Sequence, residues 1–211
     1  MSKLYIVGIG PGSKDYLTKI AIDTVENADI VIGSKRAIDI FDNIKESIIL
    51  NVKDLSEKLE LSVDLAIEGK NICVLSTGDP GFSGVLKPLS KIAKEKGLDL
   101  ENIEVIPGIS SLQLAAAKNK LSWDEANIMT FHGRENIEDI LKVINNGLAT
   151  IALPSKSVKD MAKFLIDNEV DPQRKVAICE RLSYDDEKTI KTTLDEVSKG
   201  DFTYMCVMII F

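Results

Sequence analysis

The 211-residue chain is poor in several residue types on which common chemistries depend. It has one histidine, His132, and three cysteines, Cys73, Cys179 and Cys206, each isolated inside a short apolar run. Without a Cys-x-x-Cys pair, a zinc or iron site of nitrogen and sulfur ligands is not expected, and the thiols are expected to be buried and reduced. Arginine is scarce, at four residues (Arg36, Arg134, Arg174 and Arg181), and the formal net charge is -7. A nucleic-acid binder would carry a basic footprint, so no nucleic-acid partner is expected. Bulk charge says less about a polyanionic small molecule, because local clusters decide that. No run approaches the roughly 18 apolar residues of a bilayer span. The start, Met1 to Val7, passes directly into a strand pattern and not into a signal peptide. These absences predict a cytoplasmic protein with no membrane association.

What is present is alternation. Apolar runs at Leu4–Gly8, Ile30–Gly33, Ile48–Val52, Ile72–Ser76 and Ile103–Ile106 are separated by amphipathic patterns at about Lys14–Asn27, Leu55–Glu68, Val85–Lys96 and Ser110–Lys118. Gly69 and Gly97 serve as helix stops, and Asp54 with Glu57 resembles a capping box. This pattern predicts a mostly parallel sheet flanked by helices, an α/β fold. Past Trp123 the pattern changes. Helices are expected at about Ile137–Asn145 and Val158–Asn168, the second starting at Ser157 with Asp160. Strands are expected at Asn127–Phe131, Ala149–Leu153, Lys175–Glu180, Thr189–Leu194 and Tyr204–Phe211, with a helical turn near Asp195–Ser198. Strands adjacent in sequence without a crossover helix imply a mixed sheet with antiparallel members. We therefore divide the chain into two α/β halves, 1–120 and 121–211, with Trp123 as a packing residue near the junction.

Three loops follow strands in the first half. Gly8-Ile9-Gly10-Pro11-Gly12 closes the first strand, Ser76 to Gly84 closes the fourth, and Ile106-Pro107-Gly108-Ile109-Ser110-Ser111 closes the fifth. Closely spaced glycines let backbone approach a ligand, and open α/β sheets bind ligands at the carboxyl ends of their strands. Each loop also has a plainer reading: a tight turn at Gly8–Gly12, an aspartate N-cap at Asp79, and a serine cap at Ser110 or Ser111. The dinucleotide fingerprint Gly-x-Gly-x-x-Gly fits the first loop poorly, because the third glycine comes one residue early and Pro11 lacks an amide. No acidic residue ends the second strand, although Lys35 and Arg36 there would suit a 2′-phosphate and keep an NADP-dependent oxidoreductase open as an alternative.

The three loops, in this order and spacing, resemble the tetrapyrrole methylase family over essentially the whole chain. That resemblance implies two α/β domains with S-adenosylmethionine held in a cleft between them. Within the family, Pro107 to Ala117, Trp123, His132-Gly133-Arg134 and Glu180 to Glu187 are similar to the branch that methylates carbon 5 of cobalt-precorrin-7 in cobalamin biosynthesis. Two positions depart from the pattern: Gly81 stands where a larger apolar residue is usual, and Ser183 stands where glycine is usual. Some relatives carry a fused second methyltransferase acting at carbon 15, and no such domain is expected in this chain.

Carried over by position, the resemblance implies cofactor contacts at Pro11, Thr77, Gly78, Asp79, Phe82, Ser110, Ser111, Leu153 and Leu182. A tetrapyrrole carries many carboxylates, and arginine binds these bidentately. Arg134 and Arg181 are the leading candidates to hold them, with Lys35 and Arg36 as a weaker pair. His132 is a candidate for substrate binding or proton transfer, or a hydrogen-bonded loop residue. Methyl transfer from a sulfonium is a displacement at an activated donor, so no nucleophilic side chain is required. No metal is expected, and the resemblance favours a homodimer.

Overall fold

A computed structural model describes residues 3–131, 136–155 and 157–211. The chain forms two compact units, the first ending at Ser110 and the second running from Ser111 to Phe211.

In the first unit, strands β1 (Leu4–Gly8), β2 (Ile30–Gly33), β3 (Ser47–Ile49), β4 (Ile72–Ser76) and β5 (Ile103–Ile106) form one sheet in the order β3-β2-β4-β1-β5. Every pairing in it is parallel. Side chains alternate across a strand, so a sheet covered on both faces needs apolar residues at nearly every position. Strands β2 and β4 are buried throughout, and β1 nearly so. Leu4, Ile6, Ile32 and Val74 point into one apolar layer with Leu59, Val63 and Leu89, which come from helices α3 (Leu55–Ile67) and α4 (Leu86–Glu95). Val7, Val31, Cys73 and Leu75 point into the other with Ala21, Val25 and Ala37, from α1 (Lys19–Asn27) and α2 (Lys35–Ile38).

Three local expectations are corrected. The helix expected from Lys14 is divided: a 3-10 turn spans Lys14–Tyr16, Leu17 is extended, and α1 begins after Thr18, whose hydroxyl accepts from the Ala21 amide at 3.2 Å. The capping box lies one turn earlier than expected. Asn51 and Asp54 form it around a 3-10 turn, with Asp54 Oδ1 accepting from the Asn51 amide at 2.6 Å, while Asp54 makes no side-chain cap for α3. That turn, at Val52–Asp54, also stops β3 at Ile49, ahead of the expected Val52.

The second unit holds β6 (Asn127–Thr130), β7 (Thr150–Leu153), β8 (Lys175–Glu180), β9 (Lys188–Thr193) and β10 (Cys206–Ile210), in the order β6-β7-β10-β8-β9. Only β6 and β7 pair in parallel; β10 runs antiparallel to β7 and β8, and β9 to β8. Helices α6 (Ile137–Ile144), α7 (Val158–Asp167) and α8 (Leu194–Lys199) supply Ile140, Ile144, Leu165, Leu194 and Val197 to a core with Met129, Ile178 and Met208. Ser157 caps α7 by accepting from the Asp160 amide at 3.0 Å, as the sequence pattern indicated. Helix α5 (Ser111–Lys118) packs beside β7 and β10, and the second unit begins at Ser111, ten residues before the division between 120 and 121. Trp123 is 41% exposed and is not the packing residue expected.

No helix among the described residues is long and apolar enough to cross a membrane. Cys73, Cys179 and Cys206 are buried. Burial raises all three thiol pKa values, that of Cys206 to about 12, so none supplies a thiolate nucleophile near neutral pH.

Candidate functional site

Because β1 lies between β4 and β5, the loops that follow these three strands emerge side by side. They meet backbone to backbone. The Ile9 amide donates to Ser76 O at 3.0 Å, Gly78 N–H to Gly10 O at 2.7 Å, and Gly10 N–H to Gly78 O at 3.3 Å. A Cβ on Gly8 would lie 2.5 Å from the Gly108 nitrogen and 2.8 Å from Gly78 O. A Cβ on Gly108 would overlap Gly78 O and come within 2.7 Å of the Gly8 carbonyl carbon. Glycine is required at both places by close approach, one strand end against the next. Gly78 favours glycine for a different reason, its positive φ of 70°.

Asp79 sits across this junction. Its Oδ1 accepts from the Gly81 amide at 2.8 Å, and its Oδ2 accepts from the Gly108 amide at 3.2 Å. The first bond closes a turn within its own loop, and the second reaches the loop after β5. This engagement also bears on Gly81, where a Cβ would stand 3.1 Å from Asp79 Oδ1 and crowd the turn. Around the junction, Pro11 and Gly78 are buried, Phe82 is half-buried and Thr77 is exposed. Ser111 is the first residue of α5, with Ser110 immediately before it.

The chemistry of these loops selects against a dinucleotide. Across Gly8–Ser13, Ser76–Gly84 and Ile106–Ser111 there is no lysine or arginine, and the one charged residue is an aspartate. Asp79 already occupies the Gly81 and Gly108 amides. A pyrophosphate needs cations or open amides, whereas a nucleoside with a cationic sulfonium and no phosphate fits hydroxyls, backbone and an acidic field. Lys35 and Arg36, the cations that kept NADP open, lie in the short helix α2, where exposed Lys35 is paired with Asp39 at 3.0 Å.

In the second unit the segment after β8 is tightly held. Glu180 is 6% exposed, and its Oε1 accepts from the Thr203 amide at 2.6 Å. Arg181 and Ser183 both adopt positive φ, 47° and 74°. Such backbone costs on the order of 1–3 kcal/mol per residue outside glycine and persists where neighbours over-determine it. Here the Arg181 amide donates to Met205 O at 2.8 Å, and the Ser183 amide to Glu187 Oε2 at 2.9 Å. The positive φ at Ser183 is a conformation that glycine adopts without that cost. Arg181 Nε donates to both carboxylate oxygens of Asp186, at 2.8 and 2.7 Å, and its guanidinium carbon lies 4.7 Å from the Tyr184 ring centroid. This leaves the Nη edge of Arg181 without a bonded partner among the described residues. Leu182 is buried, and Leu153 ends β7 half-buried, its carbonyl accepting from the Phe131 amide at 2.9 Å.

Two carboxylates in this segment have lowered pKa values: Glu187 through its hydrogen bond from Lys118 and then the Ser183 amide, Asp186 through the hydrogen bond from Arg181. A depressed folded-state pKa gives stability that is present above the unfolded value and lost as pH falls through the folded one. Thermal stability is therefore expected to drop as pH falls below about 4.5, the ordinary glutamate value. Glu187→Gln should flatten that drop, as thermal melts between pH 6 and pH 3 would record. Parallel curves for the two proteins would remove Glu187 from the linkage.

His132 and Arg134 lie outside the described residues. Of the other expected positions, Pro11, Thr77, Gly78, Asp79, Phe82 and Ser110 belong to the first unit, and Ser111, Leu153, Arg181 and Leu182 to the second. Sequence reasoning missed Asp186 and Tyr184 as partners of Arg181. The acidic run Asp185-Asp186-Glu187 signalled a charge near the arginine, but not which carboxylate would reach it.

Three loops poor in charged side chains at the carboxyl ends of a parallel sheet are the candidate ligand site of the first unit, and the second unit is built on a mixed sheet. The chain belongs to the tetrapyrrole (corrin/porphyrin) methylases, whose family pattern matches residues 3–198, and it is accordingly a methyltransferase. A probable cobalt-precorrin-7 C(5)-methyltransferase of Methanocaldococcus jannaschii is 47% identical over 208 residues, covering 98% of this chain and 96% of the relative. The cobalt-precorrin-4 C(11)-methyltransferase of the same organism is 29% identical over 214 residues, covering 93% of this chain and 81% of that protein. The crystal structure of a uroporphyrin-III C-methyltransferase from Thermus thermophilus, complexed with S-adenosylhomocysteine, shares the fold at a TM-score of 0.80 and 21% identity, covering 99% and 97% of the two chains.

Proposed function

We propose that this protein methylates carbon 5 of cobalt-precorrin-7, or of its metal-free counterpart, with S-adenosylmethionine as donor, in cobalamin biosynthesis. The observation that carries the reading is the 47% identity along nearly the whole of both chains to a probable C(5) enzyme, against 29% to a C(11) enzyme. When bound, S-adenosylmethionine supplies a methyl group already activated on a sulfonium sulfur. The protein's part is then to position donor and acceptor and to exclude water, and such positioning supplies much of a rate enhancement.

Pro11, Thr77, Gly78, Asp79, Phe82 and Ser110 of the first unit, and Ser111, Leu153 and Leu182 of the second, are proposed as the residues that contact the cofactor. The absence of basic residues from the three loops supports this ligand, because it places no competing cation near a sulfonium. His132, Arg134 and Arg181 are proposed to hold the acceptor's carboxylates. Arg181 is suited to that by its orientation, since Asp186 and Tyr184 fix the guanidinium while its Nη edge stays open for a planar carboxylate. Resemblance to the family supports a cytoplasmic homodimer, which sedimentation of the purified protein would check.

Incubation of the protein with cobalt-precorrin-7 and methyl-labelled S-adenosylmethionine is expected to add one labelled methyl to the tetrapyrrole at carbon 5, read by mass spectrometry and NMR. A methyl at another ring carbon would overturn the position, and binding of NADPH in place of S-adenosylhomocysteine would overturn the reading altogether.

A further inference from the structure

We propose that Glu187 is a positioning residue for Arg181: its carboxylate holds the left-handed backbone of the segment after β8, and through it the aim of the guanidinium at the acceptor's carboxylates. The proposal rests on the reading of Arg181 as an acceptor contact and adds what keeps that side chain in place.

Arg181 needs support beyond its ion pair. Asp186, which takes both bonds from Nε, has a side chain that is 60% exposed. An exposed pair contributes only about 0–1 kcal/mol. The positive φ of Arg181 and of Ser183 costs on the order of 1–3 kcal/mol each. Held by Asp186 alone, the segment would relax.

Glu187 supplies the second hold. Its Oε2 accepts from the Ser183 amide, four residues back, at 2.9 Å, and its Oε1 accepts from Nζ of Lys118, the last residue of α5. The next residue, Asn119, donates through Nδ2 to Cys179 Sγ at 3.2 Å, so this end of the helix is itself tied to the strand from which the segment departs. Both bonds to Glu187 are to an ionised acceptor, and such bonds are stronger than neutral ones.

The route from Glu187 to Arg181 is short. Ser183 immediately precedes Tyr184, whose amide donates to Arg181 O at 3.1 Å and whose ring lies against the guanidinium. The Glu187 amide in turn donates to Tyr184 O at 3.0 Å. Two successive turns therefore run from Arg181 to Tyr184 to Glu187, with the left-handed Ser183 inside the first. The Tyr184 hydroxyl is buried without a hydrogen-bond partner among the described residues, so no polar bond of its own fixes the ring, which follows its backbone. When Ser183 leaves the left-handed region, Tyr184 and Asp186 shift with it, and the Nη edge of Arg181 loses its fixed direction.

NMR and kinetics on the full chain test this together. The Arg181 Nε–H resonance, identified by its absence in Arg181→Ala, is expected to be protected from solvent exchange in the parent. Glu187→Ala should lower that protection about tenfold, as for loss of a charge-assisted bond. Glu187→Gln, which keeps an oxygen for the Ser183 amide, should lower it less. At saturating S-adenosylmethionine the KM for cobalt-precorrin-7 should rise about tenfold in Glu187→Ala and less in Glu187→Gln, with kcat and S-adenosylhomocysteine affinity within about twofold of the parent. In the double variant, Glu187→Ala should change the KM of Arg181→Ala by no more than about twofold, because a residue that acts through Arg181 is silent once Arg181 is gone. Glu187→Gln carries the same comparison if the Ala variant is too unstable to assay. Effects that multiply make Glu187 an independent contact or a general support of the fold and overturn the proposal. So does unchanged Nε–H protection, or a KM within about twofold of the parent in Glu187→Ala while Arg181→Ala raises it. An unchanged KM in Arg181→Ala would instead remove the acceptor reading of that residue, and the Nε–H comparison would still judge whether Glu187 holds it.

Discussion

Replacing Gly108 by alanine is expected to abolish S-adenosylhomocysteine binding and to lower stability by about 3 kcal/mol or more, the upper range for overpacking a site that cannot relax. The new methyl group would overlap Gly78 O and stand 2.7 Å from the Gly8 carbonyl carbon and 2.8 Å from its Cα. These are backbone atoms at the ends of β1 and β4, both held in the middle of a parallel sheet, so no side chain is available to rotate away. Relief requires the β5 loop to move, which stretches the bond from the Gly108 amide to Asp79 and carries Ser110 with it. Gly97→Ala is the matched control. Gly97, unlike Gly108, has a positive φ, 76°, but a Cβ there meets nothing within 4 Å. It should cost only the left-handed backbone penalty, roughly 1–2 kcal/mol, and leave binding intact. Thermal melts and calorimetry on the two variants test this directly. Retained binding in Gly108→Ala would show that the loop junction is not part of the ligand site.

Arg181→Ala is expected to raise the KM for the tetrapyrrole about ten- to a hundredfold while leaving S-adenosylhomocysteine affinity within about twofold. The range corresponds to one charge-assisted hydrogen-bonded contact of roughly 1.5–3 kcal/mol. Asp186 holds Nε with both oxygens, and Tyr184 lies against the guanidinium face, so the residue reaches the acceptor pre-oriented and loses little entropy on binding. Lysine is not expected to rescue. Its ammonium is a single point of charge, and it cannot bond Asp186 through one edge while presenting a second edge to a carboxylate. Initial rates at saturating cofactor, with the tetrapyrrole varied, would measure the effect. An unchanged KM would leave Arg181 as a structural anchor of its loop, and a loss confined to cofactor binding would reassign it to the donor side.

How far the sequence could be read depended on the range of the interaction involved. The α/β class, nearly every strand of the first sheet and the capped start of α7 at Ser157 follow from short-range rules: alternation, apolar runs and side-chain caps. Errors arose where two local rules competed. At Leu17 and Thr18 a hydroxyl cap beat continuation of a helix, and at Asn51 and Asp54 one box formed a turn earlier than another acceptable one. Trp123, read as a packing residue near the junction, is partly exposed, since nothing local to it states what covers a side chain.

The sequence by itself determined which segments are strands, that glycines and small hydroxyl residues crowd three strand ends, and, through resemblance, the family. Which of those strand ends are neighbours was decided only by the tertiary structure, because strand order is a property of pairing between segments up to a hundred residues apart. The order that sets β1 between β4 and β5 brings Gly8, Gly78 and Gly108 into contact and turns Asp79 from a plausible helix cap into a bridge between two loops. In the same way the fold selected Asp186 from three adjacent acids as the partner of Arg181, a choice of geometry that composition cannot express.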